Sequence, residues 1–175
     1  MQTQQSAQVE RIVAAKEIPT WSDQPLALYH GTTSTSAASI LSSGIRLGYS
    51  RPRFDFGKGF YTTTSREQAE SWAVQKAEVS QSEPMLLTFR VERIQIARLS
   101  CLCFVRFSPA AVDFWSFVQS CRFGKDTHWY DIVMGPVVKT YRKQLTVLED
   151  SDQLSFHTET ALSLLNGQSP EVVEL

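Results

Sequence analysis

FDFGKGFYTTTS, residues 54–65, is the stretch from which the fold of this chain can be worked out. Two glycines stand within three residues, the aromatic pair Phe60-Tyr61 follows, and a run of hydroxyl residues ends at Ser65. Ser65 with Gln68 three positions later matches a capping box, in which the serine accepts a hydrogen bond at a helix start. The stretch therefore predicts a glycine turn, a short aromatic strand and a helix in direct succession.

Strands and helices follow one another on both sides of this stretch. Apolar runs bounded by turn residues predict strands over 25–32, 60–64, 85–91, 93–99, 129–138 and 153–157. Helical periodicity and capping residues predict helices over 36–45 (from Ser36 to Gly44 as C-cap), from Ser65 onward, over 108–121 and after Thr158. Without repeat or linker, the pattern predicts one mixed α+β domain over 25–167, an extension with a short helix over 1–24 and a flexible tail over 168–175.

Composition excludes several classes of protein. With 175 residues, 42% of them hydrophobic, and a net charge of −1, the chain is an ordinary globular one, so binding to a nucleic acid needs a local basic patch. Its three cysteines form neither a disulfide framework nor a zinc site, and no metal is expected. No apolar run approaches the roughly 20 residues that span a bilayer, and no signal peptide is recognised. We expect a cytoplasmic protein without membrane contact, or an effector secreted without a signal peptide.

The first candidate for chemistry is Tyr29-His30-Gly31-Thr32, at the end of the first predicted strand. Gly31 has no side chain, so a ligand can approach its backbone closely, and its N–H and C=O can grip a planar amide. His30 can donate to a hydroxyl group. A simple turn is the alternative interpretation of a histidine–glycine pair taken alone.

The second candidate is the glycine turn with the strand after it. Gly59 permits close approach, and the ring of Tyr61 offers a flat face on which a base-like ring can stack, a contact that contributes roughly 1–3 kcal/mol. Arg51 and Arg53, just before the turn, are placed to contact a polyanion. The glycine spacing differs from that of a phosphate-binding P-loop, and a hairpin turn before a core strand is the alternative.

A third polar group is needed if a bond to a sugar is to be polarised or a nucleophile oriented. Gln153 and Asp131 both stand in strand contexts, with Glu149, Asp152 and Glu159 near the first of them. Asp131 is a carboxylate in an apolar strand, which is costly to bury without a partner, so a role in bracing the backbone is equally open. Spacing alone does not choose between Gln153 and Asp131.

Two of these motifs together resemble a known enzyme superfamily. LYHGT (28–32) and FGKGFYTTTSREQA (56–69) resemble the opening motifs of ADP-ribosyltransferases of the His-Tyr-Glu branch, which includes the poly-ADP-ribose polymerases and diphtheria toxin. The chain is more similar still to an uncharacterised bacterial family related to these enzymes. That likeness covers about residues 26–166 and is carried by the motifs at Tyr29–Gly31, Asp55–Tyr61, Tyr130–Val137 and Gln153–Leu162.

The resemblance implies an α+β fold with a split antiparallel β-sheet core, surrounding helices and a nicotinamide cleft between the halves. It implies NAD⁺ as co-substrate, with His30 on the nicotinamide-side ribose, Gly31 on the carboxamide and Tyr61 stacked on nicotinamide. The implied cofactor-binding residues are His30, Gly31, Thr32, Arg51, Arg53, Lys58, Gly59, Phe60 and Tyr61, with the cationic ones facing the pyrophosphate.

The third catalytic position departs from the pattern of the branch. Gln153 stands where a glutamate is usual, and a neutral amide can hold a ribose hydroxyl but cannot act as a base. The catalytic residues implied are His30, Tyr61 and either Gln153 or Asp131.

The implied activity is transfer of mono-ADP-ribose from NAD⁺ to a macromolecule, either nucleic acid or protein. The enzyme would be a bacterial toxin or effector, paired with an antitoxin or immunity protein. The alternatives are a catalytically inactive NAD⁺ or ADP-ribose binding module and a protein-interaction domain of the same fold.

Overall fold

Three β-sheets and five α-helices make up the part of the chain that the computed structural model describes, residues 24–49, 54–105, 111–124, 128–141 and 144–175. The strands are β1 Pro25–Thr33, β2 Phe60–Thr62, β3 Pro84–Glu92, β4 Cys101–Cys103, β5 Ile132–Gly135, β6 Val138–Tyr141, β7 Gln144–Val147, β8 Gln153–Phe156 and β9 Glu171–Glu174. The helices are α1 Ser34–Ser43, α2 Arg66–Ser80, α3 Arg93–Ile96, α4 Ala111–Arg122 and α5 Glu159–Asn166, with a 3₁₀ turn at Leu47–Tyr49. The short helix expected near the N-terminus lies outside the described residues.

The strands form two main sheets and one hairpin. Sheet A has the order β1-β3-β9, and sheet B has the order β2-β8-β5-β4. Neighbouring strands are antiparallel except for the parallel pair β4 and β5, and β6 pairs with β7. The prediction of a mixed α+β architecture is confirmed.

The two main sheets meet where β1 passes the end of β2. Tyr29 and Thr63 form an isolated antiparallel bridge, with 2.8 Å from Tyr29 N to Thr63 O and 3.0 Å from Thr63 N to Tyr29 O. Beyond this bridge the two strands diverge, because β1 continues along β3 and β2 continues along β8. We call the bridge, together with the neighbouring residues His30, Gly31 and Tyr61, the strand junction.

The main core lies between sheets A and B and is closed by α1 and α5. Its buried residues come from both sheets and both helices: Leu28, Ala37, Leu87, Phe89, Val91, Ile132, Leu154, Phe156, Ala161, Leu162 and Leu165 among them. A second, aromatic core lies on the other face of sheet B, under α4 and the glycine turn. It contains Phe56, Phe114, Val118, Val133 and Val138. Alternation along β5 explains the division, since successive side chains of a strand point to opposite faces: Ile132 lies in the main core and Val133 in the aromatic one.

Helix α2 follows β2 as the sequence predicts. Ser65 is its N-cap and accepts from Gln68 N at 3.2 Å. Its three alanines, Ala69, Ala73 and Ala77, are buried, and the helix packs closely on β1. Small side chains allow this approach, because they leave little between the helix backbone and the strand.

Three other helix features of the sequence are confirmed. Gly44 ends α1 with a φ of 73°, which favours glycine. Thr158 caps α5 by accepting from Ala161 N. Phe114 and Val118 of α4 face the aromatic core. The cap of α1 is Thr33, three residues before the predicted Ser36.

Two predicted elements are wrong. Residues 93–99 were expected to form a strand, but α3 occupies Arg93–Ile96 and the chain then turns. The tail 168–175 was expected to be flexible, but Glu171–Glu174 form β9, with Leu86 of β3 opposite Val173. The predicted strand 129–138 is also interrupted, because β5 ends at Gly135 and β6 begins at Val138.

Candidate functional site

His30 is the polar side chain that crosses the strand junction. Its Nδ1 lies 2.7 Å from the carbonyl oxygen of Tyr61, so the side chain of β1 is bonded to the backbone of β2. Its ring stacks on Phe60, with 4.4 Å between the ring centroids. The two residues that the sequence singled out, His30 and Tyr61, are therefore direct neighbours.

The bond to Tyr61 determines which nitrogen of His30 carries the proton. A carbonyl oxygen can only accept, so Nδ1 donates and Nε2 keeps its lone pair in the neutral ring. Burial, followed by the nearby positive charge of Lys76, lowers the pKa of His30 to about 3, against the opposing effect of the hydrogen bond to Tyr61. His30 is thus neutral at physiological pH, and within the described residues Nε2 makes no hydrogen bond. It can accept a hydrogen bond from a ligand hydroxyl, so the prediction that His30 donates to such a hydroxyl is wrong for this tautomer.

Gly31 is glycine because a helix backbone fills the space of its missing side chain. A Cβ atom there would lie 1.8 Å from the carbonyl oxygen of Ala69 and 2.9 Å from Ala73 N. The sequence indicated close approach at Gly31, but on this side α2 makes that approach. Its carbonyl oxygen accepts from Lys76 Nζ of α2 at 2.5 Å, and contact between its N–H and C=O and a ligand amide stays a prediction.

The glycine turn, residues 54–59, is held over Tyr61 by three rings. Its three successive carbonyls at positions 56, 57 and 58 each accept a hydrogen bond from a different side chain. His128 Nε2 lies 3.0 Å from the carbonyl of Phe56, and His157 Nδ1 lies 2.8 Å from the carbonyl of Lys58. Between them, the Tyr61 hydroxyl donates to the carbonyl of Gly57 at 2.7 Å.

Tyr61 is half-buried, and its hydroxyl is hydrogen-bonded to the backbone of the turn. The hydroxyl also accepts from Phe56 N at 3.1 Å. Burial is the main reason that the pKa of Tyr61 lies well above its ordinary value, so the hydroxyl stays protonated. The ring of Phe54 packs against that of Tyr61 at a centroid distance of 5.1 Å and an interplanar angle of 56°, and Phe54 is 43% exposed.

Asp55 anchors the start of the turn to three other elements. Its carboxylate accepts from Arg122 of α4 at 2.6 and 2.8 Å and from Val138 N at 2.8 Å. It also accepts from Gln153 Nε2 at 2.7 Å. The remaining Nε2 hydrogen of Gln153 goes to the carbonyl of Pro136 at 3.0 Å. Gln153, the predicted third residue, is therefore a buried part of this anchor.

Asp131, the other candidate for the third position, braces the backbone. Its Oδ2 accepts from Ser100 N at 3.0 Å and its Oδ1 from Thr158 Oγ1 at 2.5 Å. The bracing role that the sequence left open is the one that these contacts support. Neither hydrogen bond links Asp131 to His30 or Tyr61.

The other predicted ligand-binding residues are spread over the junction and the turn. Thr32 is buried in β1, and Phe60 lies under His30. Lys58 is exposed on the turn. A Cβ atom on Gly59 would lie 2.9 Å from the ring of His157, so this glycine makes room for the histidine. Arg51 and Arg53 lie outside the described residues.

The comparison with protein families places the chain in one of them. A family model described as "Protein of unknown function (DUF3990)" matches residues 26–141, well over half of the chain. The chain belongs to the DUF3990 family. Among curated proteins, none matches it.

The DUF3990 match covers the strand junction and the glycine turn but ends before two other residues of the site. It includes His30, the glycine turn and Tyr61, and it ends before Gln153 and His157. The strand junction therefore lies within the matched segment, whereas part of the turn's anchorage comes from β8 and the residues after it.

Sequence reasoning missed several residues that shape this DUF3990 site. Two of them are His128 and His157, which both hold the turn and have 4.4 Å between their ring centroids. His157 Nε2 also lies 2.7 Å from Ser155 Oγ. The usable signal for His157 was its place two residues after Ser155, on the same face of the strand that pairs with β2.

Neither of two surface cavities coincides with the strand junction. One, of about 280 Å³, lies between the end of α2 and the start of β3, and the other, of about 170 Å³, lies between the ends of α1 and α5. Within the described residues, no three His, Cys, Asp or Glu side chains gather as a metal ion would require. None of the helices described is long and apolar enough to cross a membrane.

The buried histidines should make the stability of the protein depend on pH. Burial, the larger cause, lowers the pKa of His157 to about 4, and that of His30 is about 3, against 6.5 for both when unfolded. Below pH 6.5 the unfolded state takes up protons that the folded state does not. The free energy of unfolding should therefore fall as pH drops from 6.5 to 5, by about 1.4 kcal/mol per pH unit for each histidine.

Urea unfolding between pH 7.5 and 5 measures this slope. His157→Asn keeps a donor for the Lys58 carbonyl and removes one titrating group, so its slope should be about half that of the unmodified protein. Equal slopes for the two proteins would contradict the assignment of His157.

Proposed function

We propose that this protein is an NAD⁺-dependent mono-ADP-ribosyltransferase that modifies a macromolecule, with its nicotinamide site at the strand junction. The observation that carries the proposal is the 2.7 Å bond from His30 Nδ1 to the Tyr61 carbonyl. It brings the two motif residues together and leaves His30 Nε2 as an acceptor for a ribose hydroxyl. The resemblance of both motifs to the His-Tyr-Glu branch supplies the reaction class.

The backbone of Gly31 suits the nicotinamide amide. In an antiparallel strand, residues two apart direct their N–H and C=O to the same side. Tyr29 directs both groups to Thr63, so Gly31 directs both to the edge where β1 and β2 diverge. A planar carboxamide can accept from the N–H and donate to the second lone pair of the C=O, whose first lone pair accepts from Lys76 Nζ at 2.5 Å.

Tyr61 supplies the stacking face, and Phe54 now lies against it. Phe54 is partly exposed, so it can give up its place over Tyr61 to a nicotinamide ring at small cost. The hydroxyl of Tyr61 stays bonded to the turn and takes no part in proton transfer. Its function in this proposal is to hold the ring in position.

The reaction breaks the bond between the ribose C1 and the nicotinamide nitrogen. The bonding electrons leave with nicotinamide, and the cationic sugar is then attacked at C1 by a nucleophile of the acceptor, which loses its proton to solvent. His30 and Gly31 position the ribose and the leaving group. With Gln153 neutral and bound to Asp55, the acceptor has to be a strong nucleophile, so the site favours transfer over hydrolysis.

The biological setting follows from the resemblance to bacterial enzymes. A toxin or secreted effector fits the reaction, with an antitoxin or immunity protein as its natural partner. The acceptor is a nucleic acid or a protein.

His30→Asn is the sharpest test of this function. Asparagine keeps a donor for the Tyr61 carbonyl and lacks the Nε2 acceptor, so the fold should be retained while NAD⁺ is held less well. We expect the rate of macromolecule labelling, measured with adenine-labelled NAD⁺ and cell lysate, to fall by about tenfold or more. Tyr61→Ala should bind NAD⁺ at least about fivefold more weakly than Tyr61→Phe, which keeps the stacking face.

Thermal unfolding of each variant is the control for folding. If the unmodified protein labels no macromolecule and releases no nicotinamide, the transferase proposal is wrong. If His30→Asn labels as fast as the unmodified protein, the assignment of His30 is wrong.

A catalytically inactive NAD⁺ or ADP-ribose binding module is the second candidate. Both amide hydrogens of Gln153 are used by Asp55 and Pro136, so the third position contributes no free group to a reaction. NAD⁺ binding in calorimetry without nicotinamide release would support this module. Absence of any binding would support the protein-interaction domain.

A further inference from the structure

Lys76 reaches from α2 to the backbone of β1 at the strand junction. Its ammonium nitrogen lies 2.5 Å from the carbonyl oxygen of Gly31. Gly31 sits opposite Ala69 and Ala73, which lie about two turns and one turn before Lys76 on the same helix. The tight packing of α2 on β1 therefore fixes where the lysine stem begins. The packing of the α2 alanines on β1 thus places the positive charge of Lys76 beside Gly31, the residue after His30.

This ammonium group has no counterion in the part of the chain that the structure describes. Lys76 belongs neither to the ion pair of Arg66 with Glu70 nor to that of Arg122 with Asp55. The residue exposes much of its surface, but protein atoms crowd its charged end, and this desolvation lowers the pKa of Lys76 to about 8. A carbonyl takes one of its three N–H donors, and two are left for another partner.

The positive charge of Lys76 lies at the strand junction, close to His30. The Lys76 ammonium is close enough to contribute to the low pKa of His30. It also lies on the side to which Gly31 directs its backbone, where β1 and β2 diverge. A partly desolvated cation is stabilised by an anion, and oxygen anions form strong charge-assisted hydrogen bonds with ammonium groups.

We propose that Lys76 is a ligand-binding residue whose ammonium group holds a phosphate of the dinucleotide at the strand junction. This inference rests on the proposed function and adds to it the residue that recognises the anionic part of the ligand. Lys58, for which the resemblance to ADP-ribosyltransferases implies that role, lies exposed on the glycine turn. The strand junction then combines a neutral acceptor at His30 with a cation at Lys76.

Calorimetric titrations with NAD⁺ and with nicotinamide riboside, which lacks phosphate, test the proposal. Lys76→Met keeps the stem and removes the charge, and it should weaken NAD⁺ binding about tenfold while changing nicotinamide riboside binding less than twofold. Lys76→Arg should restore most of the NAD⁺ affinity. Lys139→Met, which removes an exposed lysine of β6, is the matched control and should bind NAD⁺ as the unmodified protein does.

The outcomes separate this inference from the proposed function. Equal weakening of both ligands in Lys76→Met, or no weakening of either, overturns the phosphate contact while NAD⁺ binding by the unmodified protein still supports the proposed function. If the unmodified protein binds no NAD⁺, the proposed function fails, and inorganic pyrophosphate becomes the probe. Pyrophosphate binding that Lys76→Met weakens tenfold then supports the anion site, and binding that is absent or unaffected overturns it.

Discussion

Replacing Gly31 with alanine is expected to lower the free energy of unfolding by about 3 kcal/mol or more. The new methyl group would lie 1.8 Å from the carbonyl oxygen of Ala69 and 2.8 Å from its carbonyl carbon. Both are backbone atoms of α2, so no side-chain rotation relieves the contact, and the helix has to move away from β1. Urea unfolding followed by circular dichroism measures the change.

Gly48→Ala is the matched control for this substitution. Gly48 is exposed, and a Cβ atom there meets nothing within 4 Å. Its free energy of unfolding should change by less than about 1 kcal/mol, with stabilisation as the expected direction if the backbone tolerates alanine. Similar effects at both positions would show that α2 does not pack on Gly31 as described.

Asp55→Asn is expected to cost about 3 kcal/mol of stability. Removing one partner of a buried ion pair leaves the other charge without compensation, which typically costs 3–5 kcal/mol. The lower end applies here, because the Arg122 side chain is 24% exposed and water can solvate part of it. The new amide also turns an N–H₂ group toward atoms that themselves donate, Val138 N and Gln153 Nε2 among them.

Glu70→Gln provides the comparison, since it breaks an ion pair that is open to solvent. Glu70 pairs with Arg66 at 2.7 Å, and the two side chains are 33% and 54% exposed. Its loss should cost less than about 0.5 kcal/mol. If Asp55→Asn in urea unfolding is as mild as Glu70→Gln, the anchoring role of Asp55 is wrong.

Local signals made much of the fold predictable. The order of turn, strand and helix around residues 54–80 follows from the glycines, the aromatic pair and Ser65, and the structure has all three elements. The prediction of a strand over 93–99 failed because Ile94 and Ile96, two positions apart, fit the alternation of a strand. The single helical turn that forms instead is too short to show helical periodicity. Strand β9 was missed because its edge pairing depends on the distant β3.

The sequence predicted which residues meet at the site, but not which of their atoms make the contacts. The motifs identified His30 and Tyr61 as partners, yet the contact uses the backbone of Tyr61 while its hydroxyl goes to the turn. The donors of Asp55 lie 67, 83 and 98 residues away in the sequence, and local periodicity carries no information over such distances. Lys76 was missed because one charged residue on a helix looks like any solvated lysine.

Three successive carbonyls of the glycine turn are bonded to rings, and this bears on how the stretch FDFGKGFY is interpreted in other proteins. In this chain the aspartate of FDFGKGFY anchors the turn to other elements, and one of its glycines leaves room for a histidine ring. The hydroxyl of its tyrosine bonds to the turn itself. Another protein that shares the stretch is therefore expected to form the same glycine turn. Whether it also inherits a reaction is better judged from the histidine on the preceding strand and the lysine on the following helix.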